Sequence, residues 1–526
     1  MKYYLKPSVM LEPLVNHWYA WPHLIAPATA ALNITNAHIR MMRSFISAPD
    51  IHAAAVKNPA MSGGPFVDLP RSAVKDVKAL VENTVREQAH MIEFAEAVKT
   101  LNDILLNEAK GQSLEPFYER IPDALKGYVE LVYDLNKNPS VRLVEPLLYK
   151  SKYYDSSIQS IDLSLTKGDH RSFVFSTPRL VSPDRININI PFSHEAIDRL
   201  FRMRYEPQEI GYIADALCVK DEDNKLFQSF FTEEPQDKPD KYDGDSVRIR
   251  YFGHACILLE SKDISIMLDP SLSYKYETEI SRYTYSDLPD VLDYVLITHT
   301  HQDHVLLESL LQMRNKIKCL VVPRSTGGSI EDPSLKLALK SIGFKNVIEL
   351  DELESIDIEG GAITGVPFLG EHGDLNIRSK IAHLIRLKDK TIMCAADSSN
   401  LEPKLYEYVH DMVGDLDVLF IGMECEGAPI SWIYGPLMSK PLDRKMDQSR
   451  RLSGSDCSKA FDLVNRFNCR EVYVYAMGQE PWLNFVTSIR YTDESKPIVE
   501  SNRLLELCND NGIRAERLFG QKEIEL

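Results

Sequence analysis

The chain lacks several features that would declare a class at once. No run of eighteen or so apolar residues occurs, so the sequence predicts no membrane-spanning helix. Its eight cysteines (Cys218, Cys256, Cys319, Cys394, Cys425, Cys457, Cys469, Cys508) contain no C-x-x-C pair. Several sit in apolar runs, as in Thr391-Ile392-Met393-Cys394-Ala395, where a thiol acts as a small core residue. That pattern argues against a disulfide framework or an iron–sulfur cluster and predicts a reducing, cytoplasmic setting. Positive charge is in deficit, with 60 Lys and Arg against 77 Asp and Glu and a net charge of −17. Such a surface repels phosphate backbones and anionic lipid, so neither nucleic acid nor membrane is an expected partner. No glycine-rich dinucleotide fingerprint occurs. The segment Met1–Pro7 has no signal-peptide pattern.

What is present suggests two domains, given 526 residues and a 44% hydrophobic content. Residues 1–240 read as a mixed α+β unit. Helices are expected over Pro27–Phe45, Arg71–Leu106 and Leu114–Leu135, with strands at Ser172–Phe175 and Ile186–Ile190. Short helices should follow at Glu195–Arg204 and Pro207–Leu217. His17, His23, His38, His52, His90, His170 and His194 are too dispersed to make a legible ligand set. The polar, proline-punctuated stretch Glu233–Asp245 reads as a linker, and 241–526 as an α/β unit.

The chemistry concentrates in His299-Thr300-His301-Gln302-Asp303-His304. An apolar strand, Tyr294–Ile297, precedes this run and a helix from Val305 follows it. In extended backbone, residues i and i+2 share a side, so His299 and His301 can grip one ion. Asp303 and His304 can then face a second. The spacing H-x-H-x-D-H resembles the signature of the metallo-β-lactamase fold, which implies an αββα sandwich carrying a dinuclear site. By that resemblance Asp269, in Leu268-Asp269-Pro270, orients a metal-bound imidazole. His254, in Gly253-His254-Ala255, is expected to pack behind the ligands rather than join them.

One position separates this chain from the hydrolases of that fold. After Gly370 they place a histidine; here Glu371 stands there and His372 follows. Taken as extended, the segment would turn only one of the two toward the metals, and alignment on the glycine selects Glu371. Asp397, in Ala395-Ala396-Asp397-Ser398, aligns with the bridging aspartate, and no histidine follows His410. The implied set is His299, His301 and Glu371 on one ion, Asp303 and His304 on the other, and Asp397 between them. Zinc hydrolases favour neutral imidazoles, which keep bound water acidic, whereas added carboxylates suit iron. Manganese or zinc is compatible with the same donors.

His-Thr-His-Gln-Asp-His, Phe-Leu-Gly-Glu-His-Gly-Asp and Ala-Ala-Asp-Ser, with a long amino-terminal domain, together resemble the di-iron β-hydroxylases of the chloramphenicol-pathway type. The resemblance extends to Gly427–Trp432 and Gly478–Trp482. It implies an O2-dependent di-iron monooxygenase that hydroxylates the β-carbon of an aminoacyl group tethered to a nonribosomal peptide synthetase carrier domain. It also implies an external electron donor and a homodimer, with residues 1–240 at the dimer interface and substrate entrance. Glu424, at the end of the strand Asp417–Met423, is a candidate catalytic carboxylate beside the metals. Lys440, Arg444, Lys445, Arg450 and Arg451 form a basic rim suited to an acidic carrier. The competing reading is a di-zinc hydrolase of an ester, lactone or amide.

Overall fold

The computed structural model describes residues 1–239 and 241–526. Asp240, where the sequence reading ends its first unit, lies outside the described residues. In the amino-terminal half, a four-stranded antiparallel sheet has the order Trp18–Tyr19, Val9–Val15, Gln159–Leu165, Arg185–Asn189. Helices Val74–Glu87 and Ala89–Glu108 occupy the predicted Arg71–Leu106 stretch. Pro27–Phe45 is helical but broken into Pro27–Asn33, a π-helical turn Ile34–His38, and Ile39–Ser47.

Two expectations in this half fail. Leu114–Leu135 is two 3-10 turns, Glu115–Arg120 and Asp123–Leu125, followed by the strand Val129–Tyr133. Pro116 and Pro122 remove helix donors, and Gly127 adopts a left-handed φ of 81°, so the apolar spacing cannot close into a helix. Ser172–Phe175 has strand-like composition but no strand partner and runs as an irregular turn. Its Phe173 and Phe175 instead line a cavity.

The carboxy-terminal half contains two seven-stranded sheets. The first has the order Val347–Leu350, Ile317–Pro323, Leu292–Leu296, Ser265–Leu268, Cys256–Glu260, Arg248–Gly253, Lys522–Glu525. The second runs Ser355–Ile358, Gly361–Val366, Ala382–Leu387, Lys390–Cys394, Val418–Gly422, Glu471–Tyr475, Arg514–Arg517. Alternate residues of one strand enter different cores, as the two-residue side-chain period requires. Ile257 and Leu259 face the second sheet, whereas Cys256 and Leu258 face outward into another apolar layer. Outside the second sheet, helices Pro403–Val413, Cys457–Arg466 and Lys496–Asp510 supply Tyr406, Leu463 and Leu504 to its outer core. The result is the expected αββα sandwich. Among the described residues no helix is long and apolar enough to cross a membrane.

The outer layer of the first sheet is shared. A single apolar core joins Leu258, Met267, Val295 and Leu310 to Leu11, Ile161, Leu200 and Phe201 of the amino-terminal half. The helix Leu307–Met313, which follows the histidine motif, packs against the strand Val9–Val15 and the helix Glu195–Arg202. A buried polar cluster reinforces that contact. The Arg171 guanidinium reaches Glu12 at 2.6 Å and Glu308 at 2.7 Å, and Tyr19 and Tyr274 donate to Glu308. Burial opposes the Glu12 charge, but Arg179 and Arg171 hold its carboxyl far below the usual range.

Candidate metal centre

The site forms where strands of the two sheets end. Leu292–Leu296 delivers the histidine motif, Ser265–Leu268 ends at Asp269, Lys390–Cys394 leads to Asp397, and Val418–Gly422 leads to Glu424. Glu371 enters from the loop after Gly361–Val366. A bridge between His299 and Lys380 and a hydrogen bond from His383 Nε2 to the Ile297 carbonyl (3.0 Å) clamp the sheets together there.

Three groups of side chains converge closely enough to hold an ion: His299, His301 and Glu371; His299, His304 and Asp397; and His254, Asp303 and His304. The structure thus brings together all six residues named from sequence as ligands, and it adds His254 at the edge. Glu371 Oε1 lies 2.6 Å from His301 Nδ1, and its Oε2 lies 3.7 Å from His299 Nε2. Asp397 Oδ2 is 2.9 Å from His304 Nε2 and 3.8 Å from His299 Nε2.

Supporting bonds fix which atom of each ring faces the centre. Asp269 accepts from the Thr298 backbone N–H (2.8 Å) and hydroxyl (2.6 Å) and faces His304 Nδ1 at 2.8 Å. That carboxylate holds the proton on Nδ1 and turns the Nε2 lone pair toward Asp397. At His254 the Gly478 N–H donates to Nδ1 (3.2 Å), which leaves the proton on Nε2, 3.2 Å from Asp303. That tautomer leaves no lone pair on Nε2, which lies beside Asp303 without a hydrogen bond to it.

The segment around Glu371 is not extended. Gly370, Glu371 and Gly373 adopt φ of 78°, 66° and 56°, so consecutive side chains do not alternate. Glu371 and His372 are both buried toward the centre, with His372 Nδ1 2.9 Å from Glu371 Oε2 and its ring stacked on His301 at 4.4 Å. The expectation that His372 points away is therefore wrong. A non-glycine residue at left-handed φ is uncommon and clusters at functional sites.

The donor set fits metal ions. His299 Nε2, His372 Nε2, Glu371 Oε2 and Asp397 Oδ1 are buried with no hydrogen-bond partner among the described residues. His254 Nε2 is unpaired as well, and because buried polar atoms are ordinarily paired, these orphans mark a place where something else supplies the bonds. Burial raises the Glu371 carboxyl, but the His301 and His372 imidazoles bring it down to about 2. Burial and the neighbouring imidazoles hold His299 neutral.

Glu424 is half-buried and belongs to none of the three groups. Burial, then Asp397, Asp303 and Glu371, push its carboxyl well above the usual range. Of the basic rim, Arg450 and Arg451 are committed to the Gly373 and Gly427 carbonyls. Lys440, Arg444 and Lys445 are exposed.

Sequence reasoning missed Tyr434, whose buried hydroxyl lies 3.2 Å from His301 Nε2. It lies 133 residues from His301, in a stretch with no ligand spacing, and nothing local signals it. Also missed was a cavity of about 760 Å³ walled by both halves. The π-helical turn supplies Asn36, which bonds the Pro436 carbonyl (2.8 Å), and Trp432 Nε1 bonds the Gly63 carbonyl (2.7 Å) across the same space. Gln302 of the metal motif lines the cavity too.

Comparison with known proteins places this architecture. Residues 4–235 match the family described as diiron non-heme beta-hydroxylase N-terminal domain, and residues 248–425 match the beta-lactamase superfamily domain. The chain is 38% identical, over 100% of both chains, to the 4-amino-L-phenylalanyl-[CmlP-peptidyl-carrier-protein] 3-hydroxylase of Streptomyces venezuelae. The crystal structure of CmlA, a diiron beta-hydroxylase from Streptomyces venezuelae, superposes with a TM-score of 0.93 at 38% identity, each chain covered at 100%. A single-residue variant of CmlA superposes over the same extent with a TM-score of 0.92. These full-length matches displace the di-zinc hydrolase reading. The chain belongs to the CmlA-type di-iron non-heme β-hydroxylases, oxygenases built on a metallo-β-lactamase-fold domain.

Proposed function

We propose that this chain hydroxylates the β-carbon of an amino acid held as a thioester on the phosphopantetheine arm of a nonribosomal peptide synthetase carrier domain. The observation that carries the reading is the full-length similarity to a hydroxylase whose printed name specifies an aminoacyl carrier substrate. The two-walled cavity supports it, being large enough for an arm and reaching the metal motif.

In this reading His299, His301 and Glu371 hold one iron, Asp303 and His304 the other, and Asp397 lies between. What iron supplies there is redox chemistry toward O2, one oxygen atom entering the C–H bond and the other leaving as water with two electrons from an external donor. The chain's own contribution is positional. Asp269 keeps His304 in one tautomer, the Gly478 N–H does the same for His254, and Tyr434 braces the far nitrogen of His301. Glu424, whose carboxyl is pushed up by burial and by Asp397, Asp303 and Glu371, is the acid placed to hold or give up a proton beside the centre. Residues 1–240 form the entrance and a homodimer interface, and 241–526 the metal-binding unit. The exposed Lys440, Arg444 and Lys445 receive the acidic carrier. Eight free cysteines accord with a cytoplasmic location.

The test is mass spectrometry of carrier domains loaded with candidate amino acids, after exposure to O2 and a reductant. A gain of one oxygen atom on the aminoacyl group, by protein holding about two irons per chain, is the expected outcome. Hydrolytic release of the thioester by a zinc-loaded protein, with no oxygen gained, would overturn the reading. Light scattering separately checks the dimer.

A further inference from the structure

The Gly370 carbonyl is a junction beside the metal donors. It accepts the N–H of His372, two residues on, at 2.9 Å, and the Lys380 ammonium, also at 2.9 Å. The first of these bonds closes a tight turn with Glu371 at its centre, at a φ of 66°. Turns closed between residues i and i+2 around a positive φ are rare and strained, and they persist where the surroundings over-determine them.

Lys380 is itself fixed to the strand end that bears the histidines. Its backbone bridges His299, and the N–H of its neighbour Ile381 donates to the Thr298 carbonyl at 2.7 Å. The side chain is half-buried, with Nζ 5.8 Å from the centre of the Phe368 ring, which packs edge-on against His299 at 5.3 Å. Among the described residues the ammonium forms no ion pair, and its one hydrogen bond goes to Gly370. Such a bond adds little to folding once the lost hydration of the amine is counted. Its geometry has a clearer use. His299 and His301 follow a strand of the first sheet, whereas Glu371 follows a strand of the second, so their group is complete only if the two segments are held in register. Arg450 fixes the Glu371 loop further on, at the Gly373 carbonyl, and Lys380 links the turn back to the His299 segment. Resting on the reading of Glu371 as an iron ligand, we infer that Lys380 is a positioning residue for that carboxylate. Its ammonium ties the strained turn to the strand end of His299 and so sets Glu371 against the two imidazoles that share its ion.

The experiment reads metal binding without O2, so that turnover plays no part. Ferrous iron is partitioned between the full-length protein and a competing chelator, and the two binding steps are fitted separately. Lys380→Met keeps the length and the apolar stem but loses the donor and the charge. It should weaken one step by about ten- to a hundredfold, the scale of one bond from a charged donor or of a lost supporting partner, and leave the other step unchanged. Lys380→Arg, which keeps donor and charge, should recover most of that affinity. Lys380→Gln, a shorter and neutral side chain, should weaken the same step and serves if the methionine variant fails to fold. Wild-type affinity in the methionine or glutamine variant, equal loss at both steps, or no recovery in Lys380→Arg would overturn the inference. A wild type that takes up fewer than two ferrous ions would count against the ligand reading instead.

Discussion

The two ends of the proposed site are built by different rules. At the metal end, four donors come from one strand end within six residues, and the others from neighbouring strand ends and one loop. Polar neighbours hold the rings in place, as at His304, whose two nitrogens lie 2.8 Å from Asp269 and 2.9 Å from Asp397. At the cavity end, the wall is assembled from segments far apart in the chain, such as Asn36 and Pro436, 400 residues apart. Coordination chemistry tolerates little displacement and is encoded locally. A binding wall needs only shape and a few polar groups, and it can be gathered from anywhere.

Substitutions at the metal end should therefore be severe and those at the interface mild. The largest effect is expected from Glu371→Ala, which removes the only carboxylate of its group. Iron should fall from about two to about one per chain by elemental analysis, and hydroxylation should drop below detection. His372→Ala, the neighbouring control, should keep both irons and lose about ten- to a hundredfold in rate. If instead His372→Ala empties the site and Glu371→Ala does not, the ligand assignment is reversed.

Asp269→Asn comes next. It touches His304 directly and His299 by way of the Thr298 hydroxyl, and losses of about ten- to a hundredfold in metal affinity are the usual scale for such partners. A competitive chelator titration measures this directly, and an unchanged affinity would show that His304 is held by other means. Gly422→Ala should cost about tenfold in turnover. A Cβ at that position would collide with Asp397 Oδ1 and lie 2.7 Å from the Ala396 carbonyl oxygen, so the carboxylate must shift. Retained turnover would show that Asp397 can move freely, which an ion-bridging carboxylate cannot.

The smallest effect on turnover belongs to Glu145→Gln, where the halves meet through the Ser334 N–H (2.9 Å). Burial raises the Glu145 carboxyl to about 7, although the Ser334 bond lowers it. The native state therefore binds more protons than the unfolded state between about pH 4.5 and 7, so this group makes stability fall as pH rises through that window. Denaturant unfolding at several pH values should show that decline in the wild type and its loss in the variant. Parallel profiles would mean that Glu145 is charged throughout.

The same division explains what was legible in the sequence. The histidine motif and the strand ahead of it could be read because ligand spacing and apolar strand runs are local properties, and Asp397 by its alignment with the bridging aspartate of the fold. Glu371 was reached by alignment on Gly370, but the reason given for it, alternation along an extended chain, fails because the backbone is left-handed there. Leu114–Leu135 misled because apolar spacing was weighed over Pro116, Pro122 and Gly127. Gln302 was in plain view inside the motif. Its place in the cavity wall became visible only once the fold was known.

The shared core has a consequence for how such a protein can change over generations. Were the lactamase-like half to be recombined away from its companion, Leu258, Met267, Val295 and Leu310 would lose the covering of Leu11, Ile161, Leu200 and Phe201. A contiguous apolar face of that kind drives aggregation rather than a slower enzyme. The two halves must be inherited together, so new substrates are reached by altering the cavity wall in place rather than by exchanging one half for another.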